Sequence, residues 1–194
     1  APFAPAAYGR LERCCIAAAG FVALCALVGA LAPSTAWDAA VAHLALPAAY
    51  TRIGAMGLLE GNAYSAYPHF MHSLYTAAYA LGGETAAALT NLALAGAGVA
   101  LMHDLGRRLA GRRCGWIAAA LFVTAPIFID QAGAVTIDLA FAVYTLAALH
   151  ALTAWRQDNR FAWLVCAALF AGASCGIRHT GYLTCALMAL WVLS

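Results

Sequence analysis

The stretch from Pro33 to His72 reads PSTAWDAAVAHLALPAAYTRIGAMGLLEGNAYSAYPHFMH, and its composition differs from that of the rest of the chain. It gathers an Asp, an Arg, a Glu, three His and several aromatic residues, whereas long apolar runs precede and follow it. Ionisable groups near a bilayer are costly to keep unless they pair or take part in chemistry. We therefore predict that this stretch lies at the outer surface of a membrane and carries the functional residues.

The composition of the whole chain indicates a membrane protein. Hydrophobic residues make up 65% of the 194 positions and charged residues only 9%, and the mean hydropathy is +0.82. A soluble domain is about half apolar and about one quarter charged. The fold class indicated is an all-α polytopic membrane protein. The net charge of +2 is too small to favour a nucleic-acid partner.

Apolar runs long enough to cross roughly 30 Å of hydrocarbon predict about five to six transmembrane helices. Five complete runs are found, and a sixth begins after residue 181 and is interpreted as truncated. The chain accordingly divides into a cytoplasmic head (1–13), a first transmembrane helix (14–32), an outer-face loop (33–84) and the remaining transmembrane helices (85–194). The complete runs after the loop lie at about 85–106, 115–129, 138–155 and 161–176.

The arginine distribution predicts the sidedness, which depends on whether segment 66–82 crosses the membrane. If it lies flat, eight arginines face the cytoplasm and only Arg52 and Arg178 face outward; if it crosses, the split becomes three to seven. Because cytoplasmic loops are enriched in Arg and Lys, the flat arrangement is favoured. It predicts two interfacial helices in the first outer loop. It also predicts a cytoplasmic N-terminus for this integral membrane protein, and we expect the membrane to be a bacterial inner (cytoplasmic) membrane.

Four stretches of the chain resemble one enzyme family when they are taken in order. They are WDAAVAHLALPAAY, GNAYSAYPHF, DLGRRLAGRRCGWIAAALFVTAPIFIDQAGAVTIDLAFAVYTLAAL and GASCGIRHTGYL. Over about residues 10–190 the chain is similar to the N-terminal part of the GT-C glycosyltransferases, such as protein O-mannosyltransferases and aminoarabinose transferases. The resemblance implies sugar transfer from a polyprenyl-phosphate carrier to an acceptor at the outer face. It also implies a catalytic carboxylate in the first outer loop, which Asp38 matches. Members of this family are longer, so we expect this chain to be the N-terminal half of such an enzyme.

Transfer from a lipid phosphate needs a base for the acceptor proton and a cation for the departing phosphate. Asp38 is the candidate base, and Arg178 is the candidate phosphate-binding residue with Arg52 as the second choice, because guanidinium binds phosphate oxygens in a fork. No cofactor is expected; were a divalent metal to bind, His69 and His72 would be the candidate ligands. The supporting polar residues predicted for the site are His43, Glu60, Tyr64 and Asp138.

Other interpretations of the same residues stay open at this point. Thr35 and Asp38 fit a helix capping box, Arg178 could extend to the headgroups, and Asp138 could cap a span at its positive end. The chain could also be a catalytically silent subunit of a larger membrane complex, or a transporter of lipid-linked sugar. The seven cysteines contain no CxxC and are expected to be small buried hydrophobic residues rather than a disulfide framework.

Overall fold

A computed structural model describes residues 8–193, and within that range the chain forms helices and no strand. The first seven residues of the predicted head, and Ser194, lie outside the described residues. A π-helical turn at Ala39–His43 and a 3-10 turn at Ala63–Ala66 occur in the loop between the first and third α-helices. The α-helices are α1 Arg10–Leu31, α2 Ala45–Ile53, α3 Phe70–Ala110, α4 Arg112–Val123, α5 Pro126–Ala132, α6 Asp138–Asp158, α7 Phe161–Ile177 and α8 Gly181–Leu193.

The predicted all-helical membrane fold is confirmed in its coarser features. Within residues 8–193, three helices are long and apolar enough to cross a membrane, namely α1, α3 and α6, and a fourth span results if α4 and α5 are counted together. The helices α7 and α8 are apolar but shorter, with 17 and 13 residues. Helix α6 is the central helix. Of its most apolar stretch of 18 residues, 61% is buried in the protein, whereas the buried share of the corresponding stretch of α1 is 17%.

The predicted third span, residues 115–129, is not one straight helix. The helices α4 and α5 meet at an angle of 68°. Pro126 causes the break, because its ring restricts the preceding residue to extended backbone and its missing N–H suits the first position of a new helix. Ala125 accordingly has an extended backbone (φ −60°, ψ 129°). The link to the next predicted span, which would follow residue 129 if the third span ended there, begins only after Ala132, where α5 ends.

Helix α3 consists of two arms, 70–81 and 84–110, separated by Gly82 and Gly83. Gly83 has φ 65° and ψ −153°, a backbone conformation that is open essentially to glycine alone. The break falls where the sequence separated segment 66–82 from the following span. Just after it, the Glu84 carboxylate accepts a hydrogen bond from the backbone N–H of Ser34, which ties this corner to the residues following α1.

Polar contacts distinguish the two ends of the helix bundle. At one end, here called the arginine end, Arg112 Nε donates to Glu12 Oε1 at 2.9 Å, and Arg108 Nη1 lies 3.6 Å from Asp158 Oδ2. These pairs join the start of α1, the end of α3, the start of α4 and the end of α6. The opposite end, here called the loop end, carries the stretch between α1 and α3, the start of α6 and the end of α7.

Candidate functional site

A cavity of about 430 Å³ lies at the loop end. Its size is in the range of small-molecule sites, and its walls come from the loop after α1, the first arm of α3, the start of α6 and the end of α7. Six of the residues predicted from the sequence line it. They are Asp38, His43, Tyr64, His72, Asp138 and Arg178.

The loop that supplies Tyr64 is held by its own side chains. The Asn62 carboxamide accepts from the backbone N–H of Tyr64 at 3.0 Å and donates to the carbonyl of Val41 at 3.1 Å. The hydroxyl of Ser65 accepts from the backbone N–H of Leu59 at 2.9 Å and donates to the carbonyl of Asn62 at 2.7 Å. Asn and Ser favour such side-chain bonds to nearby backbone in turns. These bonds fix the loop through contacts within the chain itself.

Asp38 and His43 reach the same cavity because of the π-helical turn between them. The backbone N–H of Leu44 donates to the carbonyl of Ala39 at 2.8 Å, an i→i+5 bond that widens the turn. In a turn of this width, residues five positions apart lie on nearly the same side, whereas in an α-helix they would point well apart. Single π-helical turns occur frequently at functional sites.

The Asp38 carboxylate is exposed and makes no hydrogen bond or ion pair with any residue in the 8–193 range. The capping interpretation is therefore wrong for this structure, because that carboxylate accepts no backbone N–H at the helix start. Asp38 is thus available to a ligand in the cavity.

The two histidines of the cavity form a buried pair. His43 Nδ1 and His72 Nε2 are 3.1 Å apart, and the exposed fractions of the two residues are 9% and 2%. Burial lowers the pKa of His43 below its ordinary value. The nearby carboxylates of Asp38 and Asp138 oppose this shift, while Arg178 adds to it. His43 is therefore a neutral imidazole near pH 7.

This pair should make stability depend on pH. Since the pKa of His43 is lower in the folded than in the unfolded state, the unfolded state binds more protons below about pH 6.5, and stability falls as the pH decreases. Between pH 7.5 and pH 5, we expect the free energy of unfolding of His43→Asn to fall less steeply than that of the wild-type protein. Thermal unfolding in nanodiscs across that range measures it. An identical pH slope in the variant would contradict the prediction.

Arg178 and Asp138 form an ion pair across the cavity. Arg178 Nη1 donates to Asp138 Oδ1, and the side chains are 46% and 45% exposed. Arg178 follows the last residue of α7, and Asp138 lies in the first turn of α6. Asp138 lies at the positive end of α6 and lines the cavity, but its carboxylate makes no capping hydrogen bond to the backbone within residues 8–193. Nε and Nη2 of Arg178 make no hydrogen bond within the described part of the chain, so they remain open to a ligand oxygen.

Three predicted residues lie elsewhere. Arg52 and Glu60 are exposed on the loop and do not line the cavity. His69 also lies outside the lining, and its Nε2 is 2.8 Å from the carbonyl oxygen of Ser65. Among residues 8–193, no group of three or more His, Cys, Asp or Glu is arranged to hold a metal ion.

Sequence reasoning missed two features that shape the site. The first is Tyr67, whose ring packs edge-on against Tyr64 and against His179, with centroids 5.8 and 6.2 Å apart. The second is a buried network in which Asn91 accepts from the Tyr75 hydroxyl at 2.9 Å and donates to two carbonyls, that of Gln131 in the last turn of α5 and that of Ala134 in the α5–α6 link. A lone Asn inside an apolar span is the signal that could have pointed to this network.

Comparisons of the chain with protein-family models, with curated proteins and with solved structures find no match.

Proposed function

We propose that the protein is a glycosyltransferase that moves a sugar from a polyprenyl-phosphate carrier to an acceptor. The observation that carries the proposal is that a free carboxylate, Asp38, and a guanidinium, Arg178, line one cavity of ligand size, although they are distant in the chain. The resemblance to GT-C glycosyltransferases, which includes the carboxylate of the first outer loop, supports the same substrate class.

The proposed reaction is a single displacement. Asp38 takes the proton from the acceptor hydroxyl as its oxygen attacks the anomeric carbon, and the bond from that carbon to the phosphate oxygen breaks. Polyprenyl phosphate leaves with the bonding electron pair, and Arg178 stabilises the negative charge on it. Attack from the face opposite the leaving group inverts the anomeric centre. The phosphate is already a good leaving group, so the reaction needs no further energy source.

The residues around Asp38 and Arg178 are compatible with Asp38 as the base and Arg178 as the phosphate-binding residue. The neutral imidazole of His43, which is paired with His72, adds no positive charge that would compete with Arg178 or neutralise Asp38. The ion pair with Asp138 holds the guanidinium at the cavity wall, while Nε and Nη2 of Arg178 stay open to a phosphate oxygen. Pre-organised donors of this kind act most strongly where charge develops in the transition state.

We also propose that the arginine end faces the cytoplasm of a bacterial cell and that the loop end lies at the outer face of the inner membrane. Supporting this, Arg108 of α3 and Arg112 of α4 meet residues of α6 and α1 at the same end, opposite the cavity. A cytoplasmic excess of arginine is the usual arrangement. The N-terminus would then be cytoplasmic, and the partners would be membrane lipid, the lipid-linked sugar and, in a larger assembly, other membrane subunits.

A transfer assay tests the proposal. The whole protein is reconstituted in proteoliposomes with a panel of radiolabelled polyprenyl-phosphate pentoses and hexoses and with an extract of cell-envelope acceptors. We expect one donor to lose its sugar and to yield free polyprenyl phosphate, with added polyprenyl phosphate inhibiting the reaction. Folded protein that consumes none of the donors would favour the catalytically silent subunit. Movement of labelled donor across the vesicle without acceptor would favour the transporter.

A further inference from the structure

Two cysteines of neighbouring helices bring their sulfur atoms together. Cys175 Sγ of α7 and Cys185 Sγ of α8 are 3.3 Å apart, and the Cys185 thiol also donates to the carbonyl of Ala171 at 3.2 Å. Both residues are half-buried. Among the cysteines that the structure describes, no other pair of sulfur atoms is in contact. The closeness is therefore specific to this hairpin and not a result of the general abundance of cysteine.

Gly181 explains why these sulfurs meet. A Cβ atom at this position would lie 2.5 Å from the carbonyl oxygen of Ser174 and 2.5 Å from the backbone nitrogen of Cys175. Real side chains do not approach backbone so closely, so only glycine lets α8 begin directly against the last turns of α7. The two helices are joined by a turn of three residues, 178–180, which keeps the register of the hairpin fixed.

We propose that Cys175 and Cys185 are a modification site that is oxidised to a disulfide closing the α7–α8 hairpin. The S–S bond is near 2.05 Å, so the sulfurs need to approach by about 1.2 Å. The oxidant is an external disulfide. One cysteine thiolate attacks it and releases a thiol; the second cysteine then attacks the mixed disulfide and releases another thiol. The two electrons and the two protons of the cysteines end on the released thiols.

The bond would act directly below the cavity. The turn that it closes carries Arg178, His179 and Thr180, all of which line the cavity. A disulfide between Cys175, which precedes the turn, and Cys185, which follows it, restrains the hairpin and thus holds the Arg178 guanidinium in place. The persistence of the disulfide in the cell rests on the proposed function, because that proposal places the loop end on the oxidising side of the membrane. Its formation with an added oxidant does not depend on that proposal.

The test uses the full chain in nanodiscs, treated with oxidised glutathione, then alkylated and digested without reductant. We expect mass spectrometry to find a peptide pair joined through Cys175 and Cys185, lighter by two hydrogens than the separate peptides and separated by dithiothreitol. Cys175→Ser and Cys185→Ser should each abolish it. Cys166→Ser, a half-buried position on α7 with no contacting sulfur, should leave it unchanged.

Oxidation should also raise the unfolding temperature of the wild-type protein by several degrees, and it should leave that of Cys185→Ser unchanged. Full alkylation of both cysteines after oxidation, or equally frequent links to Cys166, would overturn the proposal. Neither readout involves sugar transfer. A protein that forms the bond but transfers no sugar would refute the proposed function alone, and an active protein without the bond would refute this inference alone.

Discussion

Asp38→Asn is expected to reduce sugar transfer by about 10²–10⁴-fold, the contribution that a positioned general base usually makes. The asparagine amide has nearly the shape of the carboxylate but cannot take up the acceptor proton. Folding should be unaffected, because the Asp38 carboxylate is exposed and makes no hydrogen bond or ion pair with residues 8–193. A surface change of this kind shifts the free energy of unfolding by less than about 0.5 kcal/mol.

The measurement is initial transfer rate in proteoliposomes at several donor concentrations, together with the unfolding temperature of each variant. The loss should fall on kcat with little change in KM, because the proton is transferred only in the transition state. Asp130→Asn is the matched control, since Asp130 is also an exposed acid but lies on α5 outside the cavity. Unchanged turnover in Asp38→Asn would remove Asp38 as the base.

The sequence was sufficient to predict the helical membrane fold. Long apolar runs have few other solutions in lipid, where every backbone group must be bonded within a helix or a closed barrel. The boundary near Gly82 and Gly83 was also visible, because paired glycines interrupt a helical pattern. The break at Pro126 could have been predicted from the same kind of reasoning, yet hydropathy alone merged α4 and α5 into one span. Hydropathy averages over a window and does not register a single residue that ends a helix.

The cavity was predictable only in part. The polar residues of the loop were evident, but whether they converge depends on local geometry that the pattern does not encode. Asp38 and His43 share a wall because of one π-helical turn, and Arg178 meets Asp138 because the end of α7 packs beside the start of α6. Arg52 carries the same charge as Arg178 in the sequence, and only the tertiary packing separates an exposed loop arginine from one that lines the cavity.

Because Arg178 lines the cavity, its substitution is expected to have the second large effect on sugar transfer. Arg178→Gln is expected to lower kcat/KM by about 10²-fold, comparable to removing one pre-organised donor at a developing negative charge. Arg178→Lys should recover part of the loss, because lysine keeps the positive charge but has no planar fork for two phosphate oxygens. Arg113→Gln is the matched control, since Arg113 is an exposed arginine at the arginine end, far from the cavity.

Inhibition by polyprenyl phosphate separates a phosphate-binding role from a purely structural one. If Arg178 holds the phosphate, its loss must weaken product inhibition and transfer together, because the product carries the same group that the guanidinium binds. Asp138→Asn provides the opposite change: the asparagine amide oxygen can still accept from Nη1 of Arg178 and hold the guanidinium, but the negative charge that competes with phosphate is gone, so product inhibition should become stronger. Were the ion pair only a clamp between α6 and α7, both substitutions would lower the unfolding temperature and neither would change the inhibition constant. The two variants therefore move that constant in opposite directions only if phosphate binds at Arg178.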